Sequence, residues 1–369
     1  MSIFGTRPEA VKMAPVVKKL EEAEGIESIV CVTAQHREML DQVLDLFDIL
    51  PHYDLDIMKA GQTLSEITCR ALMGLEEVIK AAKPHMILVH GDTTTTFVGA
   101  LAAFYGQVEI GHVEAGLRSG NMYSPYPEEA NRSLTGRIAN LHFAPTKGNE
   151  ENLLNEGIRK DKIIVTGNTV IDALIDVIDE DYKFENDILN DIDYKNKKII
   201  LLTCHRRENL GEPMKNIFSA VKEIVLKNED VHVIFPVHLN PKVREIAFGI
   251  LENIPRVHLI NPLDYEPFAN LMGKADIILT DSGGIQEEAP ALGKPVLVLR
   301  TETERPEAVL AGTAKIAGIE KDNIVKLTDE LINNKEEYDK MANAVNPYGD
   351  GKASERIVDA IRKYFKNSC

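Results

Sequence analysis

The sequence contains no tryptophan and only four cysteines among its 369 residues. Cys31, Cys69, Cys204 and Cys369 lack the short spacings of zinc-binding or redox-active cysteine pairs. These features predict a reduced, metal-free protein of the cytoplasm. No apolar run approaches the roughly 18 residues that a membrane helix needs. Charged residues interrupt the N-terminus where a signal peptide would be apolar, so neither a membrane span nor secretion is expected.

Positive charge is also scarce, with 42 Lys and Arg against 58 Asp and Glu, which gives a net charge of -16. A strongly acidic chain is a poor partner for nucleic acid, because binding to phosphate backbones depends on clustered cations. A small anionic substrate is still compatible with this charge, provided that basic residues gather locally.

Two nucleotide-binding motifs are missing as well. Neither the dinucleotide fingerprint Gly-x-Gly-x-x-Gly nor a Walker phosphate loop occurs, which argues against a bound NAD and against ATP hydrolysis. Asp281 is instead followed by Ser282, Gly283 and Gly284 at the start of a predicted helix. Glycines let backbone N–H groups approach a phosphate there, although an ordinary tight turn explains the same pattern equally well.

The stretch from residue 85 to 132 carries the strongest pattern. An apolar strand near residues 86–89 stops at Asp92, a helix follows, and a second strand near 108–113 stops at Glu114. A right-handed strand–helix–strand unit places both strand ends on one edge of a parallel sheet, where ligands of such sheets bind. Asp92 and Glu114 are therefore expected to lie close together, and Glu128 to join them from the next helix.

Each of these three acids also has a plain structural explanation. Asp92 could cap the helix that follows it. Glu114 could be a solvated loop residue, and Glu128 could favour the first turn of a helix for electrostatic reasons. Each explanation is reasonable by itself, but the common position at strand ends favours a site.

Strands and helices alternate through two halves of the chain, which is longer than one ordinary core accommodates. We predict an α/β protein with two Rossmann-like domains facing across a cleft. The first spans residues 1–168, the second spans 169–352, and a C-terminal helix at 353–369 is expected to pack back onto the first. A first strand of three residues is short for a buried sheet, which leaves open whether the native start lies upstream of Met1.

Basic residues reach the predicted strand ends in both halves. This clustering in an acidic protein favours an anionic ligand such as a pyrophosphate, although a surface ion-pair network is the competing interpretation. Glu288 lies one helical turn after Gly284 and could accept hydrogen bonds from a ribose, or could be solvated. The basic residues are Arg7, Lys12, His205, Arg206 and Arg305.

Nine motifs in one order resemble the non-hydrolysing UDP-N-acetylglucosamine 2-epimerases and cover essentially the whole chain. They are FGTRPEA at 4–10, TAQHREML at 33–40, HGDTTTT at 90–96, GHVEAGLR at 111–118, YPEEANR at 126–132, CHRREN at 204–209, TDSGGIQEEAP at 280–290, ERPE at 304–307 and NPYGDG at 346–351.

The resemblance implies two Rossmann-like domains of the glycosyltransferase B architecture, a homodimer and no cofactor. It also implies an isomerase that interconverts UDP-N-acetylglucosamine and UDP-N-acetylmannosamine for cell-envelope polysaccharide synthesis. The implied reaction eliminates UDP to give 2-acetamidoglucal and then adds UDP back, with the proton delivered to the other face of carbon 2.

The resemblance further implies roles for particular residues. It assigns catalysis to Asp92, Glu114, Glu128 and His205. It assigns substrate binding to Arg7, Lys12, Phe268, Ser282, Gly283, Gly284, Glu288 and Arg305. A second UDP-N-acetylglucosamine, acting as an allosteric activator, is implied at Gln35, His36, Arg206 and His238. Two positions depart from relatives that carry Gln there: Leu263 near the uracil and Glu38 in the activator loop.

Three rival functions fit parts of the same pattern. A UDP-sugar glycosyltransferase would share the architecture but would need an acceptor and would not exchange hydrogen at carbon 2. A hydrolysing epimerase would release UDP and free N-acetylmannosamine. A non-catalytic nucleotide-sugar sensor would bind the same ligand without turning it over.

Overall fold

The computed structural model describes residues 1–34, 37–59 and 61–366. The chain divides into two compact units, Met1–Asp176 with Tyr348–Cys369, and Val177–Pro347. The first boundary lies after Asp176 instead of residue 168, because the intervening helix is tied to the C-terminal helix. The buried carboxylate of Asp172 accepts hydrogen bonds from the backbone N–H groups of Ala353 at 3.1 Å and Ser354 at 2.8 Å.

The first unit is a parallel sheet with helices on its faces. Its described strands lie in the order β3-β2-β1-β4-β5-β6-β7. They are β1 Ser2–Phe4, β2 Val30–Val32, β3 Tyr53–Asp54, β4 Met86–His90, β5 Glu109–Val113, β6 Leu141–Ala144 and β7 Ile163–Val165. The helices are α1 Arg7–Glu22, α2 Arg37–Leu46, α3 Leu64–Ala82, α4 Thr94–Tyr105, α5 Glu128–Ile138, α6 Lys147–Asn155 and α7 Thr169–Val177, with α16 Ala353–Lys366 from the C-terminal part.

The second unit repeats this plan. Its described strands lie in the order β10-β9-β8-β11-β12-β13. They are β8 Lys198–Thr203, β9 Val231–Pro236, β10 Val257–Ile260, β11 Ile277–Thr280, β12 Val296–Val298 and β13 Ala314–Ile316. The helices are α8 Asp187–Asn190, α9 Glu212–Lys227, α10 Pro241–Leu251, α11 Tyr265–Lys274, α12 Gly283–Glu288, α13 Pro306–Ala311, α14 Lys321–Asn333 and α15 Lys335–Ala342.

All the strand pairings of both sheets are parallel, as in Rossmann folds. The prediction of two α/β units is therefore confirmed. The strands are nearly continuous apolar runs such as Ile199–Leu202, which are fully buried because helices cover both faces of the sheet.

The strand order fixes where a ligand is expected in each unit. The order reverses between β1 and β4 in the first sheet, and between β8 and β11 in the second. At such a switch point the two following loops diverge to opposite faces and leave a crevice at the carboxyl ends of the strands. Residues after these four strands are therefore the first to consider for binding and chemistry.

Hydrogen bonds between side chains and backbone cap the starts of two helices. At α3, Glu66 N–H donates to Thr63 Oγ1 at 3.2 Å and Thr63 N–H donates to the Glu66 carboxylate at 2.7 Å, a reciprocal capping box. At α1, Thr6 N–H donates to Glu9 Oε2 at 2.9 Å.

The C-terminal helix α16 packs within the first unit. Besides the contacts to Asp172, Arg362 donates to the backbone carbonyl of Glu24 at 2.6 Å, and the Tyr364 hydroxyl donates to Glu109 at 2.7 Å. The helix ends at Lys366, and the last three residues of the predicted helix lie outside the described residues. Among the residues that the structure describes, no helix combines the length and the apolar character needed to cross a bilayer.

Candidate active site

Asp92 and Glu114 lie at the switch point of the first unit, because each follows a neighbouring strand. Gly91, at φ 68°, turns the chain out of β4, and its N–H donates to the Val113 carbonyl at 2.9 Å. A β-carbon added to Gly91 would lie 3.8 Å from Glu114 Oε1, so the Glu114 carboxylate stands beside the residue that precedes Asp92. The two acids are thus brought together, as the sequence predicts.

Glu114 adopts a left-handed backbone conformation with φ 60°, which a residue with a side chain rarely occupies. Such a conformation costs on the order of 1–3 kcal/mol and is often retained at functional sites. Here the carboxylate is held by three neighbours. Lys12 forms an ion pair with Glu114 Oε2, Asn168 Nδ2 donates to the same oxygen at 3.0 Å, and His90 Nε2 lies 3.7 Å from it.

The pKa values of Asp92 and Glu114 are shifted in opposite directions. Burial, followed by the negative charge of Glu114, raises the pKa of Asp92 above its ordinary value, against the opposing effect of Arg132. Burial acts on Glu114 in the same sense, but the charges of Lys12 and His90 outweigh it and hold its pKa well below the ordinary value. Adjacent acids with separated pKa values are typical of sites where one carboxylate moves protons and the other stays ionised.

The start of α5 supports Asp92 from one side. Asn131 Nδ2 donates to the Asp92 carbonyl at 2.9 Å, and Arg132 Nη1 donates to Asp92 Oδ2 at 3.3 Å. The buried guanidinium of Arg132 also donates through Nε to Glu129 at 2.7 Å. Glu129 in turn accepts the backbone N–H groups of Ser119 and Gly120, which anchors the loop before α5.

Glu128 is the first residue of α5, one turn before the side chains that contact Asp92. Its Oε2 atom is buried without a hydrogen-bond partner among the described residues. Leaving a carboxylate oxygen unsatisfied inside a protein is costly, which makes this atom a candidate acceptor for a bound ligand. No described hydrogen bond joins Glu128 to Asp92 or Glu114, so its place beside these two acids stays a prediction.

A buried acid connects the loop that carries Arg7 to the loop that carries Asp92. Glu9 accepts hydrogen bonds from Thr6 N–H at 2.9 Å and from Thr93 Oγ1 at 2.7 Å. It is 2% exposed, so these bonds are shielded from water. Arg7 begins α1 directly beside this connection and has no ion-pair partner within the described part of the chain.

A second group of candidate residues lies at the switch point of the second unit. His205 and Arg206 follow β8, and their backbone N–H groups donate to Asp281 Oδ2, after β11, at 2.9 and 2.8 Å. The His205 ring stacks on His238, with centroids 5.6 Å apart and planes at 15°. Burial lowers the pKa of His205, while the nearby charge of Asp281 opposes that shift.

Two guanidinium groups lie close to Gly283. A β-carbon added there would lie 3.8 Å from Arg206 Nη2 and 3.9 Å from Arg305 Nη2. Arg305 is also paired with the buried acid Glu287. The helix that starts at Gly283 has only six residues, and the two guanidinium groups add positive charge beside its N-terminus.

The remaining predicted residues are placed as follows. Ser282 is the N-cap residue before Gly283, and its N–H donates to Thr280 Oγ1 at 2.9 Å. The Glu288 carboxylate folds back to within 3.4 Å of a β-carbon position at Gly284. Phe268 lies half-buried on α11, and no described hydrogen bond or ring contact joins it to His205, Arg206 or His238. Gln35 and His36 lie outside the described residues.

No cluster of three or more His, Cys, Asp or Glu side chains suited to a metal ion occurs among the described residues. Several supporting residues were not predicted from the sequence. His90 and Asn168 end or follow strands of the first sheet, a position that could have marked them. Arg132 lies four residues after Glu128, which places both on one helix face. Asp281 precedes the Ser-Gly-Gly turn, and nothing in the sequence distinguishes it from an ordinary turn residue.

Comparisons with known proteins agree with the motif pattern. The family model described as UDP-N-acetylglucosamine 2-epimerase matches residues 18–362. The chain is 58% identical to the UDP-N-acetylglucosamine 2-epimerase of Bacillus subtilis strain 168, over 99% of this chain and 95% of that protein. It is 53% identical to the enzyme of the same name from Escherichia coli K12, over 98% of each chain.

The fold is also similar to solved structures. One is the UDP-GlcNAc 2-epimerase of Neisseria meningitidis bound to UDP-GlcNAc, with a TM-score of 0.84 and 53% identity. The alignment covers 98% of this chain and 99% of that chain. Sequence, family model and fold therefore point to the same group of proteins.

Proposed function

The chain belongs to the UDP-N-acetylglucosamine 2-epimerase family, and from this premise we propose that it interconverts UDP-N-acetylglucosamine and UDP-N-acetylmannosamine without hydrolysing either. The observation that carries the proposed chemistry is the pair formed by Asp92 and Glu114. Two adjacent carboxylates with oppositely displaced pKa values suit a reaction that removes and returns a proton.

The reaction follows from the position of the inverted carbon. Carbon 2 of the sugar is not next to a carbonyl group, so simple removal of its proton would leave no stabilised anion. In the proposed route a base takes the carbon 2 proton while the bond from carbon 1 to the β-phosphate oxygen breaks. The electrons of the C–H bond form the double bond of 2-acetamidoglucal, and UDP leaves with the C–O pair. Re-addition of UDP, with the proton delivered to the opposite face, completes the inversion.

Asp92 is the first of two proposed proton carriers. The pKa of Asp92 is raised, so it lies closer to neutral pH than the pKa of an ordinary aspartate. This favours proton exchange. Glu114 has the opposite role, because Lys12 and Asn168 hold it in the ionised form. The unpartnered Oε2 of Glu128 makes that residue the proposed second proton carrier, as inversion requires groups on two faces of the sugar.

The second unit supplies the proposed seat for the leaving diphosphate. The guanidinium groups of Arg305 and Arg206 both lie near Gly283, and His205 follows the same strand end as Arg206. Cations placed where negative charge develops are usually the largest contribution to such a reaction, with each preorganised donor worth roughly 3–4 kcal/mol. Ser282, Gly284, Glu288 and Phe268 complete the proposed binding surface for the nucleotide.

The route is redox-neutral, so it requires no nicotinamide or flavin. The proposal extends to a homodimer, to a role in cell-envelope polysaccharide synthesis, and to activation by a second UDP-N-acetylglucosamine. Support for these three points comes from the motif resemblance. Arg206 and His238, two of the proposed activator contacts, adjoin His205, so an activator at these residues would lie beside the diphosphate seat.

Product analysis tests the function directly. Incubation with UDP-N-acetylglucosamine alone, followed by proton NMR, is expected to show UDP-N-acetylmannosamine with no free amino sugar. Starting from UDP-N-acetylmannosamine should lead to the same final ratio of the two nucleotide sugars. Release of UDP with free N-acetylmannosamine would support the hydrolysing alternative. An unchanged substrate that nevertheless binds would support a glycosyltransferase awaiting its acceptor or a sensor.

A further inference from the structure

Asp281 is a buried acid to which the sequence assigns no role of its own. It follows β11, its side chain is fully shielded from solvent, and it immediately precedes Ser282. One carboxylate oxygen, Oδ2, accepts three N–H donors: the backbone of His205 at 2.9 Å, the backbone of Arg206 at 2.8 Å and Asn209 Nδ2 at 3.0 Å. Asn209 also donates to the carbonyl of Leu299 at 3.1 Å. Asp281 thus fastens the loop after β8 to the end of β11, and Asn209 links the same loop to the end of β12.

The other oxygen of Asp281 is different. Oδ1 is buried and has no hydrogen bond among the described residues, although a carboxylate oxygen is strongly stabilised by a donor in such a place. His205 Nδ1 lies 3.4 Å from it, slightly beyond good hydrogen-bond distance. The stacking of His205 on His238 fixes the ring plane, and in the structure Nδ1 is the ring nitrogen on the side of Asp281.

We propose that Asp281 is a positioning residue for His205, which holds a proton on Nδ1 and thereby presents Nε2 as the ring nitrogen available to a ligand. The reason is chemical complementarity. An ionised carboxylate can only accept hydrogen bonds, so the ring nitrogen that faces it is favoured as the N–H. Fixing one ring nitrogen through its hydrogen-bond partner is the usual way in which proteins choose a histidine tautomer.

The surroundings of His205 and Asp281 shift the pKa values of nearby side chains. Burial lowers the pKa of His205 most, Asp281 opposes that shift, and the charges of His238 and Arg206 add to it. Cys204 lies against Asp281, and burial followed by the charge of Asp281 raises its pKa, so this thiol remains protonated. Asp281 is therefore the acid that stabilises a positive ring at this point.

The role of the ring in turnover rests on the proposed function. A neutral His205 with its proton on Nδ1 would accept a hydrogen bond at Nε2. On protonation it would donate one there, which suits contact with a departing phosphate oxygen. The tautomer itself is a property of the free protein and does not depend on which reaction is catalysed.

The test uses the full-length protein labelled with ¹⁵N-histidine. Long-range proton–nitrogen spectra distinguish the two neutral tautomers, and the His205→Gln variant identifies the signal of His205. We expect the wild-type ring to carry its proton on Nδ1. In Asp281→Asn, the amide oxygen can still accept the loop N–H groups while the amide N–H₂ faces Nδ1. The ring is then expected to change to the Nε2–H form.

Asn209→Ala is the matched control, because it removes one bond to Oδ2 and leaves Oδ1 beside His205. Its His205 signal is expected to keep the wild-type pattern. In turnover assays Asp281→Asn should lower kcat roughly 10–100-fold, by analogy with groups that orient histidine ligands, and should change the pH profile that Asn209→Ala preserves.

A wild-type ring in the Nε2–H form would overturn the proposal, even if Asp281→Asn failed to fold. An unchanged His205 signal in a folded Asp281→Asn variant would overturn it as well. Absence of epimerase activity, with the tautomer change present, would count against the proposed function alone.

Discussion

Asp92→Asn is expected to lower turnover at least about 100-fold while the protein stays folded and still binds UDP-N-acetylglucosamine, because an amide cannot accept the carbon 2 proton. The substitution preserves shape. Asn131 contacts the backbone carbonyl of Asp92, not its side chain, and an amide oxygen can still accept from Arg132. The loss should therefore appear in kcat, with little change in substrate affinity.

The pH dependence gives this prediction a second readout. A base is active only when ionised, so the wild-type rate should fall as pH drops through the pKa of Asp92. Because burial and Glu114 raise that pKa, the fall should occur at a higher pH than for an exposed aspartate. The residual activity of Asp92→Asn should lack this step.

Two further variants serve as comparisons for Asp92→Asn. Glu128→Gln is expected to lower turnover by a similar factor if it serves the opposite face of the sugar. Asp176→Asn makes the same chemical change at an exposed position of α7 and should retain the wild-type rate. A wild-type rate in Asp92→Asn would remove Asp92 from the chemistry.

Arg305→Met is expected to lower kcat/KM by roughly 10²–10³-fold, the effect of losing one preorganised donor to a developing phosphate charge. The guanidinium beside Gly283 would be lost, and Arg206 would remain as the second cation at this position. Because the leaving group gains charge in the transition state, kcat should fall together with affinity. Kinetics and direct binding of UDP measure the two contributions separately.

The Arg305→Met substitution also removes the ion pair between Arg305 and Glu287. Breaking a buried ion pair from one side can destabilise a protein by about 3–5 kcal/mol. The double variant Glu287→Gln, Arg305→Met removes this imbalance, so thermal unfolding of the two variants separates stability from binding. Arg244→Met, which removes a half-buried arginine of α10 that lies over Phe248, controls for loss of charge. Equal kcat/KM in the Arg305 variants and the wild type would exclude Arg305 from the diphosphate seat.

The parts of the fold that the sequence predicts well are those with strong local signals. The β4–α4–β5 unit follows from apolar runs that stop at Asp92 and Glu114, and these acids do meet at the edge of the sheet. Parallel strands and right-handed connections leave few other arrangements. The short edge strands β3, β10 and β13 give no comparable signal in the sequence, because two to four residues carry little periodicity.

The supporting contacts were not predictable for a different reason. Two partners of Glu114 are Lys12, on α1, and Asn168, after β7, and no local pattern indicates pairing over such distances in sequence. Whether an acid is ionised depends on these partners as much as on its own loop. The residues were therefore recognisable as candidates, but the separation of their pKa values became apparent only in the folded structure.

The most direct test of proton removal at carbon 2 is the reaction in D₂O. Incubation with UDP-N-acetylglucosamine is expected to place deuterium at carbon 2 of the recovered UDP-N-acetylmannosamine and, as the reaction reverses, of the remaining substrate. Loss of the carbon 2 proton signal in both nucleotide sugars, followed by NMR and mass spectrometry, would agree with elimination and re-addition. Formation of UDP-N-acetylmannosamine that keeps its original hydrogen at carbon 2 would contradict the proposed mechanism.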